Sequence, residues 1–208
     1  MTATGLNLTG NNTMADWTEL NKLSPQELAK IQYNDPRLDS FSTAVEQRYQ
    51  LPPGLIEAVK NAGERSNTNQ VSPKGAKGVM QFMDSTRKIY PHDYNNPMES
   101  INAAGMYFRD LMKQYNGNAK AAISAYNGGT KAGKAVLAGQ DAPSAETRNY
   151  WTNIYNYLDK KSATQQQQQP VTSNETFMKK AERVMKGELA SDVFEGKKRE
   201  TSSPSTKP

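Results

Sequence analysis

Apolar residues along this chain recur three and four positions apart, the spacing of one helix face, and nowhere sustain the alternation of a strand. From Pro36 to Tyr49, Leu38, Phe41, Ala44, Val45 and Tyr49 share such a face. After Leu51-Pro52-Pro53-Gly54, a second helix carries Leu55, Ile56, Ala58, Val59 and Ala62. It is expected to stop near residues 63–66, because Ser66, Asn67, Thr68 and Asn69 favour side-chain bonds to the backbone over continued helix. Ser72-Pro73 predicts the start of a third helix, reaching about Tyr90 through Ala76, Val79, Met80, Met83 and Thr86. Pro97 opens a long amphipathic helix with Ile101, Ala104, Tyr107, Phe108, Leu111, Met112 and Tyr115, which Gly117 stops in the left-handed conformation. A small apolar run over 119–126 precedes Asn127-Gly128-Gly129, which breaks the pattern, and two further helices are expected around 130–138 and 145–160.

The ends read differently. Ser24-Pro25-Gln26-Glu27 has the residues of a capped helix start, reaching about Tyr33 before Asn34-Asp35-Pro36 breaks it. Residues 1–16, rich in Thr, Asn and Gly, have little to bury and read as disordered. The glutamine run 165–169 and Pro170 read as a linker. Beyond it, Phe177, Ala181, Val184 and Met185 predict one lone amphipathic helix suited to docking, then a disordered basic tail. The expectation is an all-α chain: an N-terminal extension over 1–36, a helical domain over 37–162, and a linker, helix and tail over 163–208.

Composition narrows the chemistry. With 208 residues and only 35% of them apolar, one core of roughly 120–140 residues is expected. A net charge of +5 suits an acidic polymer without selecting one. The chain has no cysteine and one histidine, His92, so disulfides, thiolate metal sites and multi-histidine zinc sites are ruled out; no metal or cofactor is expected. No run of ~18 apolar residues predicts a membrane span. The N-terminus lacks the basic start and apolar stretch of a signal peptide. No aromatic-basic motif points to nucleic acid. His92, alone in a turn sequence, is given no role.

Three blocks carry the functional signal. The first is Ser72-Pro73-Lys74-Gly75-Ala76-Lys77-Gly78-Val79-Met80-Gln81-Phe82-Met83. The second runs from Asn96-Pro97 through Ala104-Gly105 to Tyr115-Asn116-Gly117-Asn118, and the third is Ala125-Tyr126-Asn127-Gly128-Gly129 with Glu146-Thr147 and Tyr150 after it. In this order and spacing, over about residues 45–160, the chain resembles the soluble lytic transglycosylase domain. That resemblance implies a lysozyme-like all-α fold that cleaves peptidoglycan glycan strands. It also implies that Glu64 is the catalytic acid and that Ser72, Gln81 and Met83 line the sugar subsites. Tyr126 would hydrogen-bond near Glu64, Asn127 would support it, and Glu146 and Tyr150 would close the cleft.

The residues agree with that chemistry. Breaking a glycosidic bond through an oxocarbenium-like transition state needs an acid still protonated near neutral pH. A glutamate at a helix end, in a cleft lined by Met80, Met83 and Tyr126, would have its charged form disfavoured by desolvation. No second carboxylate is obvious, Asp84 being the nearest in the block. The family implies that none is needed: one glutamate protonates the leaving oxygen, then takes the proton of the muramic acid's C6 hydroxyl as that oxygen attacks C1. The product is a 1,6-anhydro sugar. A hydrolytic muramidase is the variant reading.

One departure stands out. The family pattern has serine-proline nine residues after the glutamate, whereas Ser72 follows Glu64 by eight, and a gapless match places Gly63 where the acid belongs. Either the helix end shifts by a residue, with Gly63 supplying backbone freedom, or the domain is a non-catalytic peptidoglycan-binding or assembly protein. Glu57, two turns earlier, is the alternative acid, and Asp84 reads as a surface charge. The polar ends suggest a bacteriophage virion component that opens the host wall in the periplasm during genome entry and docks to other virion proteins through the C-terminal helix. Delivery of a bacterial protein by a specialised export route is the alternative.

Overall fold

The computed structural model describes residues 15–167. Residues 1–14 of the stretch expected to be disordered over 1–16, and the helix and basic tail expected around and beyond Phe177, lie outside the described residues. A 3-10 turn, Trp17–Lys22, leads into α1 (Pro25–Leu28) and α2 (Pro36–Tyr49). Next come α3 (Leu55–Ala58), running directly into a π turn (Val59–Glu64), then α4 (Asp84–Ile89), α5 (Pro97–Gln114), α6 (Ala119–Leu137) and α7 (Ala145–Gln167). No strand forms among the described residues, and the only pairings outside helices are single antiparallel bridges, Val71 with Lys77 and Lys77 with Phe82. The all-α expectation holds.

Two compact units divide the chain, Met1–Asp110 and Leu111–Pro208. In the first, Leu38, Phe41 and Val45 of α2, all of α3, and Ile101, Ala104 and Phe108 of α5 are buried. Gly105 lets α5 approach α2: a Cβ there would sit 2.6 Å from Tyr49 Cδ2. In the second unit α6 packs on α7. Its core is Tyr115, a series of alanines and Ile123 from α6, and Tyr150, Ile154, Tyr155 and Leu158 from α7.

Several boundaries differ from the expected ones. The Ser24 capping box forms, but α1 ends at Leu28 rather than near Tyr33. The helix expected from Ser72 to Tyr90 is absent before Asp84. Gly75, Gly78 and Gln81 all take left-handed φ, and three such residues in seven cannot propagate a right-handed helix. The break at Asn127-Gly128-Gly129 is a kink inside one helix, at Gly129 (φ 74°, ψ −178°), rather than a gap between two. At the far end α7 continues into the glutamine run as far as Gln167, consistent with the favourable helix propensity of glutamine. Asn116 and Gly117 both turn left-handed after α5, as the stop there requires.

The start of α3 is secured by an acid from another helix. Pro52 and Pro53 bring no N–H, and Gly54 has no side chain to cap with. Glu46 of α2 takes over: its Oε2 accepts from Gly54 N (2.7 Å), and its Oε1 from Ile56 N (2.8 Å) and Glu57 N (3.2 Å). Glu46 is 3% exposed, and burial pushes its pKa up to about 7 against the opposing pull of those three donors. The folded value lies above the unfolded one, so the folded state keeps this proton from about pH 4.5 to about pH 7 while the unfolded chain has released it. Stability from this group is therefore full below that window and falls as pH rises through it, by at most about 3 kcal/mol. Glu46→Gln, which cannot ionise, should flatten the decline; melting temperatures of both proteins between pH 4.5 and 8 would check this.

Candidate functional site

Each unit contributes its own set of candidate residues. In the first, Glu64 is the last residue of the π turn and is half-buried. The turn closes when Arg65 N–H donates to Lys60 O (3.0 Å), an i to i+5 bond, and Arg65 itself is left-handed at φ 51°. Such a turn holds one residue more than an α turn and is rare outside single-turn bulges, which concentrate at functional positions. The left-handed step falls at Arg65 and not at Gly63, where backbone freedom was expected. Glu57 is buried in α3, its N–H bonded to Glu46.

The loop after Glu64 is built from backbone hydrogen bonds. Ser72 closes it at one end: its N–H donates to Ala76 O (2.8 Å) and its Oγ accepts from Ala76 N (3.0 Å). Lys77 and Phe82 exchange both backbone bonds at 3.1 Å, and Gly78 N donates to Gln70 O. Gly78 has φ 74°, and a Cβ there would lie 2.8 Å from Tyr94 O, so only glycine fits. Gln81, left-handed at φ 46°, turns its Nε2 back onto Gly78 O (2.8 Å). Met83 is 43% exposed at the N-cap of α4, whereas Met80 is 0% exposed. Met80 therefore belongs to the core and does not line a cleft, because the bridged loop turns its side chain inward where a helix was expected. Asp84 is an exposed charge, as expected, but it also ties the loop to α4 through Lys77 (3.1 Å) and Arg87 (2.9 Å). His92 is structural: its Nδ1 meets Tyr90 O (2.8 Å), its ring packs edge-on against Phe82, and burial lowers its pKa.

In the second unit the NGG motif resolves into three separate tasks. Asn127 Oδ1 accepts from Thr147 Oγ1 (2.8 Å), tying α6 to α7. Gly128 leaves room for that contact, since a Cβ on it would lie 2.5 Å from Thr147 Oγ1. Gly129 makes the kink. Tyr126, half-buried, lies just before this break. Glu146 is exposed in the first turn of α7, and Tyr150 is buried one turn later. Thr147 was not singled out as a site residue. Buried at the start of α7, it is itself fixed by Ser144, whose Oγ accepts from Thr147 N (3.0 Å).

Residues 40–149 match the family model described as the Transglycosylase SLT domain, which is more than half of the chain. The chain belongs to the SLT domain family. Among solved structures it is similar to lytic transglycosylase Slt from Pseudomonas aeruginosa, determined as an inactive glutamate-to-glutamine mutant. The identity is 21% and the TM-score 0.53, over 64% of this chain and 25% of that one. That likeness shows the fold, the lysozyme-like helical arrangement of SLT domains, and this chain spans about a quarter of that protein's length. Among the described residues no cluster of His, Cys, Asp and Glu has the grouping of a metal site. No described helix is long and apolar enough to cross a membrane.

The Asn127–Thr147 tie gives a direct test of how the second unit is held. Gly128→Ala should force Thr147 away and destabilise the protein by about 1–3 kcal/mol, the usual cost of overpacking. The measurement is a chemical denaturation midpoint at constant m-value.

Proposed function

We propose that this SLT domain is a peptidoglycan lytic transglycosylase with Glu64 as its single acid and base. The observation that carries the reading is the placement of Glu64: it ends a π turn immediately before a left-handed residue, inside the segment that matches the family. Further support comes from the Pseudomonas aeruginosa enzyme, a lytic transglycosylase whose glutamate-to-glutamine mutant is inactive. The π turn also weakens the case for a non-catalytic domain, because it gives a physical means of absorbing the one-residue offset.

In this reading the Glu64 carboxylic acid donates its proton to the bridging oxygen as the C1–O bond breaks. The carboxylate then takes the proton of the C6 hydroxyl while that oxygen bonds to C1. Glu64 ends protonated as it began, no water is consumed, and the products are a new chain end and a 1,6-anhydro-muramic end. Ser72, Gln81 and Met83 are assigned to glycan contacts on the first unit, and Tyr126, Asn127 and Glu146 to contacts on the second, with Tyr150, buried in the core, supporting them from behind. The left-handed Gln81 suits this assignment, since its short bridged loop holds it by backbone geometry. Action at the bacterial wall follows from the substrate. Carriage there as a virion component is the narrower reading, supported only by the polar composition of the chain ends; detection of the chain by mass spectrometry in purified particles would test it.

Glu64→Gln should lower glycan-strand cleavage by about 10²–10⁴-fold, the usual share of general acid catalysis, with an unchanged melting temperature. Product analysis should find 1,6-anhydro ends and no oxygen from labelled water. Reducing ends that carry the label would make the protein a hydrolase. Undiminished clearance by the Gln variant would remove Glu64 from the mechanism.

A further inference from the structure

Among the buried ionisable groups that the glycan-cleaving reading leaves unused is Lys60, which is 0% exposed and lies inside the π turn, one turn ahead of Glu64. Its ammonium donates to Asp39 Oδ1 (2.8 Å), Asn61 Oδ1 (2.5 Å) and the backbone oxygen of Tyr33. Asn61 Nδ2 also donates to Asp39 Oδ1 (2.9 Å), so one carboxylate oxygen holds two successive residues of the turn. All three donors of the ammonium are therefore spent on groups outside α3 or on its own neighbour. Lys60 also supplies the carbonyl that closes the turn over Arg65 N. Its side chain and its backbone oxygen thus connect α2 to the single hydrogen bond that ends at the residue after Glu64.

Burying a lysine fully is costly, and burial pulls the Lys60 pKa down while Asp39 pushes it back up. Replacing a whole buried ion pair by nonpolar side chains of similar volume is often neutral or stabilising, whereas removing one partner strands the other. Stability alone therefore does not account for a lysine here. Register does: a π turn competes with the ordinary α turn, and slipping from one to the other rotates the following side chain by about 100°.

We propose that Lys60, anchored by Asp39, is a positioning residue that holds the π turn in register and so fixes the direction of the Glu64 carboxyl. The inference rests on Glu64 being the catalytic acid. Lys60 touches no substrate.

The test uses the full chain carrying Lys60→Met, and separately Asp39→Asn, assayed on purified peptidoglycan beside Glu64→Gln. Lys60→Met strands the Asp39 carboxylate and the Tyr33 oxygen, so its melting temperature should fall, and its rates are taken per folded molecule at a temperature where it stays folded. Its kcat should fall by about 10²-fold, the scale of an ångström-sized misplacement, with KM little changed. The alkaline limb of its pH–rate profile should also move, because a misdirected carboxyl changes its surroundings. Asp39→Asn should reproduce both effects in weaker form, and it decides the matter if Lys60→Met does not fold. A kcat within about twofold of the unmodified protein in the folded variants would overturn the proposal. So would a loss that only tracks the folded fraction while the pH limb stays in place. If Glu64→Gln alone is inactive, this positioning role fails and the proposed function stands; if Glu64→Gln is fully active, the proposed function itself has failed.

Discussion

A ten-residue helical segment, α3 and its π turn, is tied to α2 by two acids, the buried Glu46 and the half-buried Asp39, and this coupling sets the position of Glu64. Glu46 takes the amides that open the segment, and Asp39 takes Lys60 and Asn61 in its second half. The two acids lie seven residues apart on one helix, so two turns of α2 act as a ruler laid along the segment. Isolated helices of this length are marginal in water. Here the fixed acceptors, together with the burial of Leu55, Ile56, Ala58 and Val59, hold it in place.

Satisfying a buried backbone with a charged side chain has consequences. Three N–H donors make Glu46 an effective cap, yet burial raises its pKa, so the cap is itself sensitive to pH. The pairing of Lys60 with Asp39 is costly in a similar way, and in return it specifies one conformation. The π turn ends in the bond from Arg65 N–H to Lys60 O, and the residue that supplies that oxygen is the one Asp39 holds.

The second unit achieves its precision mainly by close approach. Alanines and glycines along α6 bring backbone and side chains of α7 near, and Gly133 does the same beneath Tyr115, whose hydroxyl oxygen would lie 2.5 Å from an added Cβ. Replacing hydrogen atoms with methyl groups at such points leaves no room to relax. The NGG motif is therefore a packing device as much as a break: one residue bonds across, one leaves space and one bends the helix.

Local sequence determined a good deal. The starts of α1, α2 and α5 follow from Ser24, Asp35-Pro36 and Pro97, because caps and prolines act through bonds within a few residues. The helical class follows from apolar spacing, and the family was legible in three ordered blocks. The path of residues 71–83 was not, since its apolar residues mimic helical spacing while its bridges join positions five and six apart. The glutamine run is helical as far as Gln167 although its composition suggested a linker. Lys60 and Asp39 read as ordinary polar positions, and a cue existed only in Glu46, an acid beside Val45 at the edge of the apolar face of α2. Only tertiary structure decided that Lys60 is buried against Asp39 and Tyr33 and that the turn before Glu64 is π, because the partners of Lys60 lie twenty or more residues away, which no local pattern encodes.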